Sequence, residues 1–194
     1  MSKEILIQFI EANLPSPRRE ITITIVSHFE KKLLQKGDFF LQEGQLSDEY
    51  FFLESGIIRS YTIDPEGDDI TTNFYSARQV VFEVSSFFTR SKSKETIQAL
   101  TDCHGYVISF SVLNDLFHTI PEFREFGRSM LVKGYVALKQ RTLSLIHETG
   151  EERYASLINN KPEIFQNAAL KHIATYLGIT DTSLSRIRRE FQKK

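Results

Sequence analysis

Between Lys31 and about Phe110 the chain is cut into short β-prone runs by turn signals, and this pattern restricts the fold more than any other feature. The runs are KKLLQ, FFLQ, YFFLES, IIRSYTI, DITTNFY, QVVFEV, TIQALT and GYVISF. Lys36-Gly37-Asp38, Glu43-Gly44, Ser55-Gly56 and Asp64-Pro65-Glu66-Gly67-Asp68 punctuate them. Short strands at this spacing predict a small antiparallel barrel or sandwich. Ahead of them, Ile5-Leu6 and Phe9-Ile10 recur at helical spacing, and ITITIVSHFE reads as a second helical segment although its Thr and Ile favour strands.

From Pro121 to about His147 the texture changes again, with no further proline and a helical pattern that Pro121 suits as a first-turn residue. Leu131, Tyr135, Leu138 and Leu145 follow a coiled-coil spacing with Thr142 interposed. Phe123, Gly127, Met130, Gly134 and Ala137 form a second row rich in small residues. A helix that is apolar on two sides needs two covers. The barrel is one; the same helix of a second subunit is the expected other, with a wholly intramolecular core as the alternative. The expected partner-facing set is Phe123, Met130, Leu131, Gly134, Tyr135, Leu138 and Leu145.

The chain closes on short helices with well-defined ends. Thr149-Gly150-Glu151-Glu152 is a capping box that starts one helix, and Asn159 to Pro162 reads as a linker. In ALKHIATYLGITDTSLSRIRREF, Leu170, Ile173, Ala174 and Leu177 make one apolar face, and Gly178 supplies a tight turn. Thr180 is then the N-cap, with Ile179 and Leu184 placed as a hydrophobic staple, while Asp181 complements the helix dipole. Leu184, Ile187 and Phe191 lock inward; Asp181, Thr182, Ser185, Arg186 and Arg189 point out. That is a helix-turn-helix, whose second helix offers its first turns to base edges of double-stranded DNA. Arg186 is the candidate for a two-bond grip on guanine, and Thr182 and Ser185 the candidates for other base contacts. Thr180 and Ser183 sit better for phosphate, while Arg188, Arg189, Lys193 and Lys194 add unspecific attraction.

Charge supports this division. The formal net charge of −1 hides nine acids between Asp38 and Ile70 against Arg59 alone, and six bases against two acids from Ala168 to Lys194. A basic end on a near-neutral chain is the asymmetry expected of a polyanion binder. A single cysteine, Cys103, forms no internal disulfide, and the five histidines (His28, His104, His118, His147, His172) show no metal-ligand spacing. Cys103 reads as an inert packed thiol, with a redox role as its alternative. No apolar stretch is long enough to span a membrane and the N-terminus does not read as a signal peptide, so a cytoplasmic location is expected. A cupin-like enzyme is disfavoured by the lack of His-x-His, of a glycine-rich phosphate loop and of a nucleophile–base set. A ligand-binding module whose terminal helices meet a protein is the other alternative.

Barrel, long helix and terminal helix-turn-helix together resemble the Crp/Fnr family of bacterial transcription regulators. The resemblance is carried by IATYLGITDTSLSRIRREF, by YFFLESGIIRSYTIDPEG and by ALTDCHGYVISFSVLNDLFHTIPEF. It implies an α+β chain. N-terminal helices and a jelly-roll barrel like that of cyclic-nucleotide-binding domains would occupy 1–120, a dimerisation helix 121–148 and a helix-turn-helix domain 149–194. It further implies a homodimer reading a palindrome, with RNA polymerase as a partner. Asn159 to Leu170 leaves little room for the β-wing of longer relatives. The family's cyclic-AMP binders pair Gly-Glu with a later Arg-Ser. Here Phe82 stands in place of the glycine before Glu83, and Ser93-Lys94 in place of Arg-Ser. Leu138-Lys139 replaces the Thr-Ser that touches adenine. Lysine gives only a point charge where arginine gives a bidentate fork, so cyclic AMP is not the expected effector. Arg90, Lys92 and Lys94 either attract another small anionic effector or form a solvated loop. No cofactor is expected, because iron–sulfur sensing needs a cluster of cysteines.

Overall fold

The computed structural model describes residues 3–191. Helices α1 (Glu4–Ala12) and α2 (Arg19–Ser27) precede strands β1 (Glu30–Leu34), β2 (Phe39–Leu41), β3 (Glu49–Ser55), β4 (Ile58–Ile63), β5 (Asp69–Tyr75) and β6 (Gln79–Val81). Helix α3 (Val84–Thr89) interrupts the sheet elements before β7 (Thr96–Ala99) and β8 (Cys103–Ser109). The chain then runs through α4 (Phe110–Thr119), the long α5 (Pro121–His147), α6 (Gly150–Asn160), α7 (Pro162–Asn167), α8 (Leu170–Leu177) and α9 (Asp181–Phe191). The fold is α+β, with antiparallel pairing throughout and sheet orders β1-β8-β3-β6 and β2-β7-β4-β5. Each expected run became a strand, although QVVFEV pairs only over Gln79–Val81.

YFFL in β3 is apolar without alternation because both of its faces are covered. Phe51 and Leu53 fill the barrel with Leu41, Ile58, Val81, Ile97 and Val107. Tyr50 and Phe52 turn the other way, onto Leu6, Ile10, Ile25, Leu113 and Phe126 of the helices outside. Gly56 makes the β3–β4 turn with φ of +107°, and a Cβ there would meet Cys103 Cα at 2.8 Å. Only glycine fits such a corner.

Three sequence expectations needed correction. The run QVVFEV reads as a strand to Val84, but pairing stops at Val81 and Val84 opens α3, because the Glu83 carboxylate caps that helix by accepting from the amides of Ser85 and Ser86 at 2.9 and 2.6 Å. The segment from Asn159 to Leu170, expected to be a connection, holds α7. Phe123, expected on the partner-facing row, is fully buried in the chain's own core, stacked on Phe126 with centroids 5.5 Å apart. Met130 packs on that core too.

Beyond this point α5 leaves the barrel. Residues 131–140 are all exposed, among them Leu131, Val132, Tyr135, Val136 and Leu138. Leu143, Leu145 and Ile146 extend the uncovered apolar surface. Thr149 caps α6 through the expected reciprocal box with Glu152. Helices α6 to α9 gather around a third core of Tyr154, Leu157, Ile164, Ile173, Leu177, Leu184 and Ile187, to which the barrel contributes Ile57 and Phe74. Among the described residues no helix is long and apolar enough to cross a membrane.

Candidate nucleic-acid interface

The C-terminal hairpin is built from local rules. Leucine and isoleucine at helical spacing bury Ile173, Ala174 and Leu177 of α8. Gly178 then takes the left-handed conformation, φ 65°, and the Ile179 amide donates back to the Ala174 carbonyl at 3.1 Å. Thr180 caps α9 as expected: its Oγ1 accepts from the Ser183 amide at 3.2 Å. Leu184 and Ile187 face inward.

What remains outside is the stripe Asp181, Thr182, Ser185, Arg186 and Arg189, all exposed, with Ser183 and Arg188 half-buried at its edges. Thus Thr180, Asp181, Thr182, Ser183, Ser185, Arg186, Arg188 and Arg189 lie together on one helix and its cap. Lys193 and Lys194 lie outside the described residues. A shallow cleft lined by Thr149, Gly150, Glu151, Ser183 and Arg186 separates the start of α6 from α9, with Ile179 and Ile187 completing its lining. A helix start, two hydroxyls and the Arg186 guanidinium therefore border one groove, together with the Glu151 carboxylate.

The hairpin is braced from α5 and α6. Arg141 stacks 3.8 Å above the Tyr176 ring and donates to the Tyr176 carbonyl at 2.8 Å. Arg153 donates from Nε to the Leu177 carbonyl at 2.8 Å. These bonds satisfy carbonyls at the end of α8, which the helix itself leaves unpaired.

The expected effector residues are mostly engaged in the protein's own structure. Phe82 packs against Tyr50 and Phe87, with centroids 5.0 and 5.2 Å away. Glu83 is the cap of α3. Arg90 pairs with Asp48 at 2.5 Å and lies 4.0 Å above the Phe110 ring. Ser93 is buried, and its hydroxyl donates to the Glu95 carbonyl at 2.7 Å. Lys94 is exposed. Leu138 and Lys139 stand on the exposed length of α5.

Sequence reasoning missed the polar lining of the barrel. Ser60 and Thr72 share a hydrogen bond of 2.8 Å, and Tyr75 and Glu95 join this group through Ser60 and Thr72 respectively. Burial, with the nearby Glu83 charge, raises the Glu95 carboxyl above its usual range despite the Thr72 hydrogen bond. Alternation along β4, β5 and β7 could have indicated inward polar positions, but not that they meet. Burial likewise raises the Cys103 thiol, which disfavours the reactive thiolate. Among the described residues no group of three or more His, Cys, Asp or Glu side chains is placed to hold a metal.

Comparison with known proteins agrees with this architecture. Residues 31–119 match the cyclic nucleotide-binding domain. Electron transport regulator A of Shewanella oneidensis is 28% identical over 175 residues, covering 84% of this chain and 69% of that protein. FixK2 from Bradyrhizobium japonicum superposes with a TM-score of 0.73 at 16% identity, covering 85% of each chain. A Eubacterium rectale structure, described as a transcriptional regulator of the Crp/Fnr family, gives a TM-score of 0.71 at 17% identity, covering 94% of this chain and 88% of that one. The curated relatives are regulatory proteins rather than enzymes.

Proposed function

We propose that this chain, which belongs to the Crp/Fnr family of transcription regulators, binds double-stranded DNA as a homodimer and reads a palindromic site with α9. The observation that carries this is the face of α9: an exposed stripe of hydroxyl and guanidinium groups behind the Asp181 carboxylate, on a helix whose opposite face is locked into a core. The stripe enters the major groove by its first two turns. Arg186 is positioned to pair with guanine, Thr182 and Ser185 to touch neighbouring base edges. Thr180, Ser183 and the groove at the start of α6 seat the backbone, and Arg188 and Arg189 add charge. Asp181 sits at the helix start, where it accepts from cytosine or limits the approach of phosphate.

Dimerisation is supported by the uncovered length of α5. Leu131, Tyr135, Leu138 and Leu145 lie on one exposed stripe, with Tyr135 68% and Leu138 62% exposed. A parallel copy of α5 buries both and fixes the separation of two α9 helices.

The sensor barrel does not suit a cyclic phosphate. The only guanidinium of its ligand loop, Arg90, is committed to Asp48, while the interior offers the Glu95 carboxyl. An anionic ligand would meet negative charge without a bidentate partner. We therefore read the clamp as degenerate, and regulation as ligand-free or driven by a different small molecule.

The direct test is selection of sites from random duplex DNA by the purified, ligand-free protein. The expected result is an enriched palindrome with half-sites about one helical turn apart. Binding that is salt-sensitive yet enriches nothing would refute sequence reading by the free protein. At the selected site, Arg186→Ala is expected to cost about 1–3 kcal/mol while hardly changing affinity for unrelated DNA. Equal losses on both duplexes, measured at one salt concentration, would remove Arg186 from base contact.

A further inference from the structure

The C-terminal helices are docked on the barrel through a buried charged cluster that the DNA-reading role does not use. Arg59 of β4 is 2% exposed and points towards α8. Its guanidinium donates to Thr71 Oγ1 at 3.3 Å and to Asp69 Oδ2 at 3.1 Å, both on β5, and to Nδ1 of His172 on α8. The Arg59 guanidinium also lies 4.1 Å above the Tyr61 ring. His172 Nδ1 is 3.3 Å from Asp69 Oδ1, with a side chain only 13% exposed. Beside this cluster the Thr71 amide donates to Thr175 Oγ1 at 3.1 Å, and Lys161 Nζ to the Phe74 carbonyl at 3.0 Å.

The cluster is costly. Arg59 Nε is buried without a hydrogen-bond partner, so the cation is not fully compensated. A buried ion pair of this kind is weak evidence for added stability and better evidence for fixing one arrangement or switching between two.

We propose that Arg59, Asp69 and His172 form a latch that holds α8, and with it α9, in one orientation on the barrel, and that acidification loosens it through His172. Neutral His172 accepts from Arg59 through Nδ1. Once protonated, Nδ1 can only donate, so the bond to Arg59 is lost and two cations are pressed together. The charged groups facing the imidazole are Arg59 from β4, Asp69 from β5 and Lys171 on its own helix. Burial and then Arg59 hold the His172 pKa below its ordinary value, and Asp69 offsets this only in part.

The sign follows from that depression. The docked state takes up a proton less readily than the released one. Docking is therefore fully favoured above the free imidazole value of about 6.5, and it weakens as pH falls below it. Burial alone would raise Asp69, but the Arg59 hydrogen bond and charge hold it low, so its carboxylate stays charged throughout this window. Release removes the hold of the barrel on α8 and leaves the Arg141 and Arg153 contacts from α5 and α6, so the device links acidity to the orientation of the reading helices on the barrel.

Amide hydrogen exchange of the full chain tests this without DNA. Corrected for the intrinsic pH dependence, protection of α8 is expected to fall about tenfold between roughly pH 7.5 and roughly pH 5.5. Protection of β8, in the opposite sheet, should hold over the same range. His172→Gln, whose amide oxygen still accepts from Arg59 but does not titrate, should keep α8 protection within about twofold. This variant leaves β4 and β5 untouched, so it does not risk the barrel as removal of Arg59 does. An α8 protection that ignores pH, an equal fall in His172→Gln, or a simultaneous loss in β8 would each overturn the latch.

Discussion

If the chain dimerises through α5 and reads a palindrome as proposed, Leu138→Glu is expected to give a monomer and to lower affinity for that site by about 10²–10⁴-fold. Leu138 is 62% exposed on a stretch of α5 that the chain's own barrel does not cover, so the substitution disturbs no internal packing. In a parallel pair of α5 helices the two residues at this position meet across the axis. Two carboxylates there replace an apolar contact with like-charge repulsion. Each α9 would then engage its half-site alone, without the high local concentration that a linked second head provides. Molecular mass in solution and half-site against full-site affinity measure the two parts separately. A variant that remains dimeric would place the subunit contact elsewhere on the molecule. A monomer that still bound the full site as tightly would show that the two heads do not cooperate.

Phe74→Ala is expected to destabilise the fold by about 3–5 kcal/mol, because it removes a fully buried ring and leaves a cavity. Phe74 lies on β5 with no exposed surface, yet packs into the core of the C-terminal helices rather than into the barrel interior. Its ring meets Tyr176 edge-on at 5.1 Å. The loss should therefore fall on the junction. Urea unfolding followed by both barrel and helix signals should separate into two transitions, the helices melting first. A single transition with an unchanged midpoint would mean that barrel and helices do not depend on a shared core.

The outward stripe of α9 and the strands of the barrel were both legible at the level of local pattern. The outward stripe of α9 follows from 3.6-residue periodicity and from an N-cap, a staple and a turn glycine within a few residues of one another. The β runs were likewise readable, since a strand needs only a pleat and a turn on either side. Short helices were harder. VSSFFT has the aromatic texture of a strand and becomes α3 because Glu83 supplies two hydrogen bonds to its first amides. PEIFQN, at six residues, is too short to display a period.

The long helix shows where pattern reading stops. Two apolar rows could be recognised, but their assignment to barrel or partner could not. Phe123 and Met130 went to the barrel; Leu131, Tyr135 and Leu138 were left outside. Arg59 is the sharper case. In the sequence it is a lone base among nine acids, unremarkable in a charge count. In the fold it is desolvated and aimed at His172, 113 residues away along the chain.

What the sequence by itself determined is therefore everything settled within a turn or a strand: the runs of the barrel, the capped ends of α6 and α9, and the chemistry of the face that α9 presents. What only the tertiary structure decided is which apolar faces are covered and which charges leave water. Periodicity and capping act between residues a few positions apart, whose relative placement the backbone already constrains. Burial of Arg59 against Asp69 and His172 depends on α8 settling across β4 and β5, and that contact acquires its energy only when distant segments pack and exclude solvent.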